Sequence, residues 1–214
     1  MKKLTLFFML LMAANANAAD GYVGIDFQSN ALGVSTKAVA LTFTPVDKDY
    51  YGLQSQNFPS IYLGANLTEN LAIEGSYSYI STDKTNNNTG LILVSNNASI
   101  ISNSKIKIHN IGLDLKPQIS FNDLKIFAIF GMNILDATLS ERLYATGFDS
   151  NVKQQYTTGL GYSIGTGVEY KFIKNLSLRA QVKYTKTNLT FDNSYALASI
   201  DNILAVSAGL KYSF

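Results

Sequence analysis

Ser207-Ala208-Gly209-Leu210-Lys211-Tyr212-Ser213-Phe214 alternates apolar with polar or small residues and ends on an aromatic. In an extended strand successive side chains point to opposite faces. Ala208, Leu210, Tyr212 and Phe214 therefore share one face, and Ser207, Gly209, Lys211 and Ser213 the other. Carrying the phase back through 202–214 adds Leu204 and Val206 to the apolar face. Seven further segments carry strand patterning: 21–28, 60–67, 71–80, 105–116, 124–135, 158–171 and 176–187.

The faces can be assigned strand by strand. Val23, Ile25 and Phe27 oppose Tyr22, Gly24, Asp26 and Gln28, while Ile61, Leu63, Ala65 and Leu67 form the apolar side of the second segment. Leu71, Ile73, Tyr77 and Tyr79 oppose Ala72, Glu74, Ser76 and Ser78. Leu160, Tyr162, Ile164, Val168 and Tyr170 oppose Gly161, Ser163, Gly165, Gly167 and Glu169, and Leu178, Ala180, Val182 and Tyr184 oppose Arg179, Gln181, Lys183 and Thr185. In 105–116 the apolar phase slips between Ile108 and Ile111, which reads as a β-bulge near His109. Segment 124–135 is apolar on both faces, so its facing stays open.

The connections alternate in length. Thr68-Glu69-Asn70, Asn122-Asp123 and Phe172-Ile173-Lys174-Asn175 are short turns; the intervening links, beginning with 29–59 and 81–104, are long and polar. Pro45, Pro59 and Pro117 fall in or beside connections, where a missing amide breaks no ladder bond.

Lys2-Lys3, the apolar run from Leu4 to Met12 and the small-residue site Ala16-Asn17-Ala18 mark 1–18 as a cleaved secretory signal peptide, leaving 19–214 as one domain. Cleavage removes Lys2 and Lys3 from 17 basic side chains and none of the 15 acidic ones, so 15 remain against 15. A formally neutral domain has no overall field to draw nucleic acid. Zero cysteine excludes a disulfide framework and thiolate chemistry. No stretch of 19–214 holds 18 consecutive apolar residues, so any membrane crossing must use strands, and those strands must close because lipid offers an open edge no hydrogen bonds. Thirteen Tyr and 12 Phe supply the aromatics that a bilayer-facing belt needs.

The ending also resembles the terminal strand signal of bacterial outer-membrane barrels, with Ser207, Gly209, Tyr212 and Phe214 at its specified positions. Tyr22-Val23-Gly24, Ala72-Ile73-Glu74-Gly75-Ser76-Tyr77, Gly165-Thr166-Gly167-Val168-Glu169-Tyr170 and the terminal segment together resemble the small eight-stranded outer-membrane barrel family of the opacity proteins and the transmembrane domain of outer-membrane protein A. The resemblance implies an all-β, antiparallel up-and-down transmembrane barrel in a Gram-negative outer membrane, with short periplasmic turns and long extracellular loops. It implies outer-membrane lipid and lipopolysaccharide as surroundings, the barrel-assembly machinery as a partner during biogenesis, and a monomer.

Projected onto one barrel, Asp26, Glu74, Asp114 and Glu169 face inward with Arg179, Lys183 and Lys211, and Gln28, Asn110 and Gln181 lie between them. An internal salt-bridge and hydrogen-bond network is expected to fill the lumen, since eight strands enclose room for side chains only. Catalysis finds little support. His109 is the single histidine, and Lys107-Ile108-His109-Asn110 does not match the His-any-Ser pattern of lipid A deacylase barrels. No His/Cys cluster or phosphate-cradling Gly-Lys-Ser/Thr motif is present, and Asp47-Lys48-Asp49 reads as a solvated run; no cofactor or metal is expected. A soluble lipocalin-like barrel would need its apolar face inward, and the chain has no tryptophan for the first-strand position that lipocalins carry.

Function then falls to the loops. They hold Ala38-Val39-Ala40-Leu41-Thr42-Phe43 with Tyr50-Tyr51, Leu91-Ile92-Leu93-Val94, Leu143-Tyr144 with Phe148, and Phe191 with Tyr195. These either continue the strands above the membrane or present a contact surface for a host surface or matrix protein. The expectation is a non-enzymatic surface protein serving envelope integrity or adhesin-like recognition, with a narrow channel for small solutes or ions as the alternative.

Overall fold

A computed structural model describes residues 20–38, 53–54, 58–86, 100–145, 148–149, 153–192 and 196–214. Among these, eight long strands follow one another: β1 (Gly21–Ala38), β2 (Phe58–Thr68), β3 (Leu71–Asn86), β4 (Ile100–Phe121), β5 (Leu124–Ala145), β6 (Lys153–Ile173), β7 (Leu176–Asp192) and β8 (Ala196–Ser213). Two-residue strands, Leu53–Gln54 on β1 and Phe148–Asp149 on β5, extend the sheet. Each long strand is antiparallel to the next. β8 pairs with β1 from Tyr22↔Ser213 up to Ala38↔Ala196, which closes the barrel.

The closure is staggered. From Val23 the register passes through Leu63, Gly75, Leu113, Met132, Tyr162, Lys186 and Asn202 and returns to β1 at Gly33, ten residues above its start. With strands about 4.8 Å apart and a rise of about 3.3 Å per residue, that stagger tilts the strands by roughly 40°.

At one end the strands are joined by two-residue turns at Glu69 and Asn70, Asn122 and Asp123, and Lys174 and Asn175. Asn122 has φ of 52°, a left-handed conformation that asparagine tolerates better than most residues. The carbonyls of Asn70, Asp123 and Asn175 accept the amides of Gln118, Lys171 and Ser213 at 2.9, 2.8 and 2.9 Å, tying each turn to the strand beyond its hairpin. Pro59 and Pro117 lie within β2 and β4 rather than outside the strands. At Pro117 the β4–β5 ladder lapses, with no pair at Lys116 or Pro117, as a residue without an amide requires.

β5 now has a definite facing. Leu124, Ile126, Phe130, Met132 and Ile134 are exposed on the outside, while Phe127, Ile129, Asn133 and Leu135 are buried inside. Ten steps from Leu124 to Ile134, at about 3.3 Å each and tilted by roughly 40°, give an apolar band about 25 Å tall. Phe121, Tyr170, Phe172, Tyr212 and Phe214 ring its turn-side edge, and Tyr162 and Tyr184 stand near the other.

Above the band the polarity of the wall inverts. Lys107, His109, Asp136, Thr158 and Lys186 face outward, and Leu32, Ile80, Ile106, Ile108, Leu135, Ala137, Leu139, Leu189, Phe191, Ile200 and Ile203 pack into one buried cluster inside. This inversion replaces the expected bulge at His109. The register runs unbroken through Tyr79↔His109 and His109↔Asp136. Ile108 faces the interior above the band and Ile111 faces outward within it, so the apolar phase slips where the strand leaves the membrane. In the upper wall register shifts occur instead at Gly33/Val34 and between Ile200 and Asn202, and they let Ile200 and Ile203, three residues apart, both point inward.

Much of what the sequence assigned to loops is therefore strand, with β3 running to Asn86, β4 starting at Ile100 and β5 running to Ala145. The remaining connecting residues, including 39–43, Asp47-Lys48-Asp49, Tyr50-Tyr51, 91–94 and Tyr195, lie outside the described residues, as do 1–18.

The band predicts position-dependent tolerance on one face of one strand. Phe130→Lys, at mid-band, is expected to cost about 2–4 kcal/mol, whereas Thr138→Lys, on the same face above the band, stays within about 0.5 kcal/mol. Urea unfolding from lipid vesicles measures both, and equal costs would put the membrane boundary elsewhere.

Candidate functional site

The barrel interior gathers most of the buried charge. Inward positions on β1, β3, β4, β6, β7 and β8 carry Asp26, Glu74, Asp114 with Lys116, Glu169, Arg179 with Lys183, and Lys211, each 9% exposed or less. Arg179 is the hub. Its Nη1 donates to Glu74 Oε2 at 2.7 Å and its Nη2 to Asp26 Oδ2 at 2.6 Å, bridging β7 to β3 and β1 across the lumen. Lys116 Nζ donates to Glu74 Oε2 at 2.9 Å and lies 4.0 Å from Glu169 Oε1, and Glu169 pairs in turn with Lys211. The result is one chain of alternating sign: Lys211, Glu169, Lys116, Glu74, Arg179, Asp26. Lys183 and Asp114 pair separately at 3.1 Å, and Gln181 Nε2 donates to Asp26 Oδ2 at 3.4 Å.

These paired cations and anions, four of each, cancel. Charges taken out of water are tolerable only when so paired and hydrogen-bonded. Aromatic rings complete the solvation. Arg179 lies 3.6 Å from the Tyr62 ring centroid, Lys116 Nζ 3.9 Å from that of Phe127, and Lys211 Nζ 4.7 Å from that of Tyr22. Tyr22 also donates to Glu74 Oε2 at 3.2 Å, and Tyr62 to the Leu210 carbonyl at 3.1 Å.

Glycine makes room for these rings. Tyr62 pairs with Gly24 and Tyr22 with Gly64 across the β1–β2 ladder, and a Cβ on either glycine would overlap the facing phenol. Gly167 does the same for Phe127, and Gly209 for the Asp26 carboxylate. On the sixth strand it is Gly167 that faces a ring, while Gly161 and Gly165 lie against Thr185, Leu135 and Ile129.

Above the ion pairs lies a neutral polar layer. Asn133 Nδ2 donates to Ser163 Oγ at 2.5 Å, Ser163 and Thr185 hydroxyls share a hydrogen bond of 2.9 Å, and Asn110 Nδ2 donates to Ser78 Oγ at 3.3 Å. The apolar cluster follows. A void bordered by Asp26, Gln28, Ser60, Ser78 and Gln181 measures about 10 Å³, room for roughly one water molecule.

Of the ten polar residues that the sequence placed inside, seven meet in ion pairs and Gln181 joins them through Asp26, while Asn110 bonds Ser78 and Gln28 donates to Asn30. Sequence reasoning missed Lys116, the bridge between the two halves of the chain. Its signal was available, since it shares parity with Asn110 and Asp114 on β4. The terminal motif divides by face: Ser207 and Gly209 point inward, Tyr212 and Phe214 outward at the lower girdle. His109 is exposed on the outer wall, away from this network, and among the described residues no group of three His, Cys, Asp or Glu is placed to hold a metal.

A closed barrel with an apolar outer band, aromatic girdles and paired charges inside is a transmembrane β-barrel of the outer-membrane class. The chain belongs to the outer membrane protein beta-barrel domain family, whose model matches residues 4–214, and it is an outer-membrane barrel protein. No curated protein matches the sequence. Among solved structures it is similar to outer membrane protein OprG from Pseudomonas aeruginosa, with 12% identity, a TM-score of 0.57 and coverage of 92% of this chain and 97% of that one. It is also similar to Neisserial surface protein A, with 16% identity, a TM-score of 0.53 and coverage of 91% and 97%. A major outer membrane protein from Thermus thermophilus is similar at 12% identity and a TM-score of 0.52, covering 90% and 99%. At these identities the likeness is one of fold.

Arg179→Ala leaves Glu74 and Asp26 short of their shared cation and is expected to cost about 3–5 kcal/mol in urea unfolding. The apolar cluster above the ion pairs is unchanged in that variant, so planar-bilayer recordings are expected to show no more openings than wild type. Sustained openings would make the ion pairs the sole barrier.

Proposed function

We propose that the chain is a non-enzymatic, monomeric surface protein of a Gram-negative outer membrane, working through its extracellular end as an envelope-stabilising or adhesin-like protein. In this reading 1–18 is the cleaved signal peptide, 19–214 is the mature barrel, and Ser207, Gly209, Tyr212 and Phe214 are read by the barrel-assembly machinery. Lipid and lipopolysaccharide surround the band, and the connections above it meet host or matrix proteins.

The observation that carries the reading is the double filling of the barrel. Ion pairs occupy the lower lumen and, among the described residues, eleven apolar residues pack the part above the band, a filling that supports a pedestal over a narrow channel. The apolar upper core lets strands stand in water above the lipid as a sandwich or soluble barrel does, and whatever tops them is held on a rigid support.

The test compares whole bacteria carrying the native protein with bacteria whose four upper connections are replaced by two-residue turns, at equal abundance and with both proteins folded. Loss of binding to host cells and matrix proteins is the expected result. Unchanged binding, or discrete openings of the native protein in planar bilayers, would overturn the recognition reading.

A further inference from the structure

The outer wall at the upper edge of the apolar band carries a cluster that the lumen and the connections leave unused. Going round the barrel, the positions of outward parity just above the band are Ser29, Ser81, His109, Asp136, Thr158, Lys186 and Asn202. Among the described residues, several rings gather at His109. Tyr77 hydroxyl shares a hydrogen bond of 2.8 Å with His109 Nδ1, and their rings stack 25° from parallel with centroids 6.2 Å apart. Tyr79 lies against the same imidazole at 5.0 Å, and Phe58 meets Tyr79 edge-on at 5.1 Å. Lys107 stands exposed two residues above His109 on the same face of β4.

This is an ordered aromatic wall with a cation above it, set where lipid gives way to water. We infer that the Tyr77–Tyr79–His109–Lys107 surface seats the phosphorylated sugar head group of a glycolipid in the outer leaflet. The aromatic faces suit the apolar face of a sugar ring, and Lys107 with the imidazole supplies a positive, donor-rich edge for phosphate. The acidic neighbour sets the side on which the anion sits. Asp136 lies directly across the ladder from His109, and its Oδ1 accepts the Thr158 hydroxyl at 2.7 Å. Its charge keeps phosphate on the β3–β4 side, toward Lys107. Lys186, the other exposed cation at this height, is three strands away on β7 and next to Tyr162 and Asn202. Among the described residues, the rings beside it, Tyr162 and Tyr184, make no ring contact like those at His109.

The chain has one histidine, so a single imidazole Hε1 signal reports on this site in NMR spectra. The full-length mature protein in phosphatidylcholine nanodiscs is titrated with purified lipid A, with dephosphorylated lipid A and with soluble glucosamine 1-phosphate. The expected result is a saturable shift of that signal with lipid A alone. Native mass spectrometry should also find at least fivefold less retained lipid A for Lys107→Gln, with no change for Lys186→Gln. An equal shift with dephosphorylated lipid A, equal loss in the two lysine variants, or no shift at all overturns the inference. A saturable shift with glucosamine 1-phosphate in lipid A-free nanodiscs would instead assign the surface to soluble sugar phosphates and overturn the glycolipid as its source.

Discussion

Lipid offers the backbone no hydrogen-bond partner, and the rest of this structure depends on that. A sheet of strands in the bilayer must leave no edge, so β8 has to find β1, and it does so along seventeen residues of ladder from Tyr22↔Ser213 to Ala38↔Ala196, broken by one register shift. Closure with a ten-residue stagger sets the tilt and a bore wide enough for side chains alone. Once that bore exists, its contents are decided by burial: charges must be paired and rings must be given space, which is why Arg179 holds two carboxylates and glycines stand opposite Tyr22, Tyr62 and Phe127.

The same wall solves two opposite solvent problems along its length. Between the girdles the outside meets hydrocarbon and the polar groups go in. Above them the outside meets water, and Ile80, Ile108, Leu135 and Leu189 go in instead. A strand crossing this boundary must shift its apolar residues from one face to the other. β4 does so between Ile108 and Ile111 by placing polar residues at His109 and Asn110, with no change in backbone register.

That explains which parts of the fold were legible in the sequence. Strand number, antiparallel order and the facing of β1, β3, β6, β7 and β8 follow from alternation because one face of each meets lipid and the other a polar lumen. Where both faces are apolar, as in β5 with Phe127 and Ile129 inside and Phe130 and Met132 outside, alternation carries no sign and the facing had to come from the structure. The strand ends were read short because the pattern that marks a lipid-facing strand stops at the membrane surface while the strand itself goes on. The inward charges were legible by parity. Their pairing was not, since it depends on which side chains meet across the bore, as for Lys116, which bonds Glu74 and lies 4.0 Å from Glu169.

Among the described residues, all the ion pairs but Lys116–Glu74 span strands that are not neighbours. Arg179 on β7 reaches Glu74 on β3 and Asp26 on β1, Lys183 on β7 reaches Asp114 on β4, and Lys116 on β4 approaches Glu169 on β6. In an open sheet β3 and β7 would stand about 19 Å apart, beyond the reach of any side chain. The two Arg179 contacts are therefore chords of a circle, absent until the circle is drawn. During assembly they add nothing to a partly zipped barrel and arrive together when the last strand meets the first, so the interior acts as a latch that engages on completion and holds the seam against reopening.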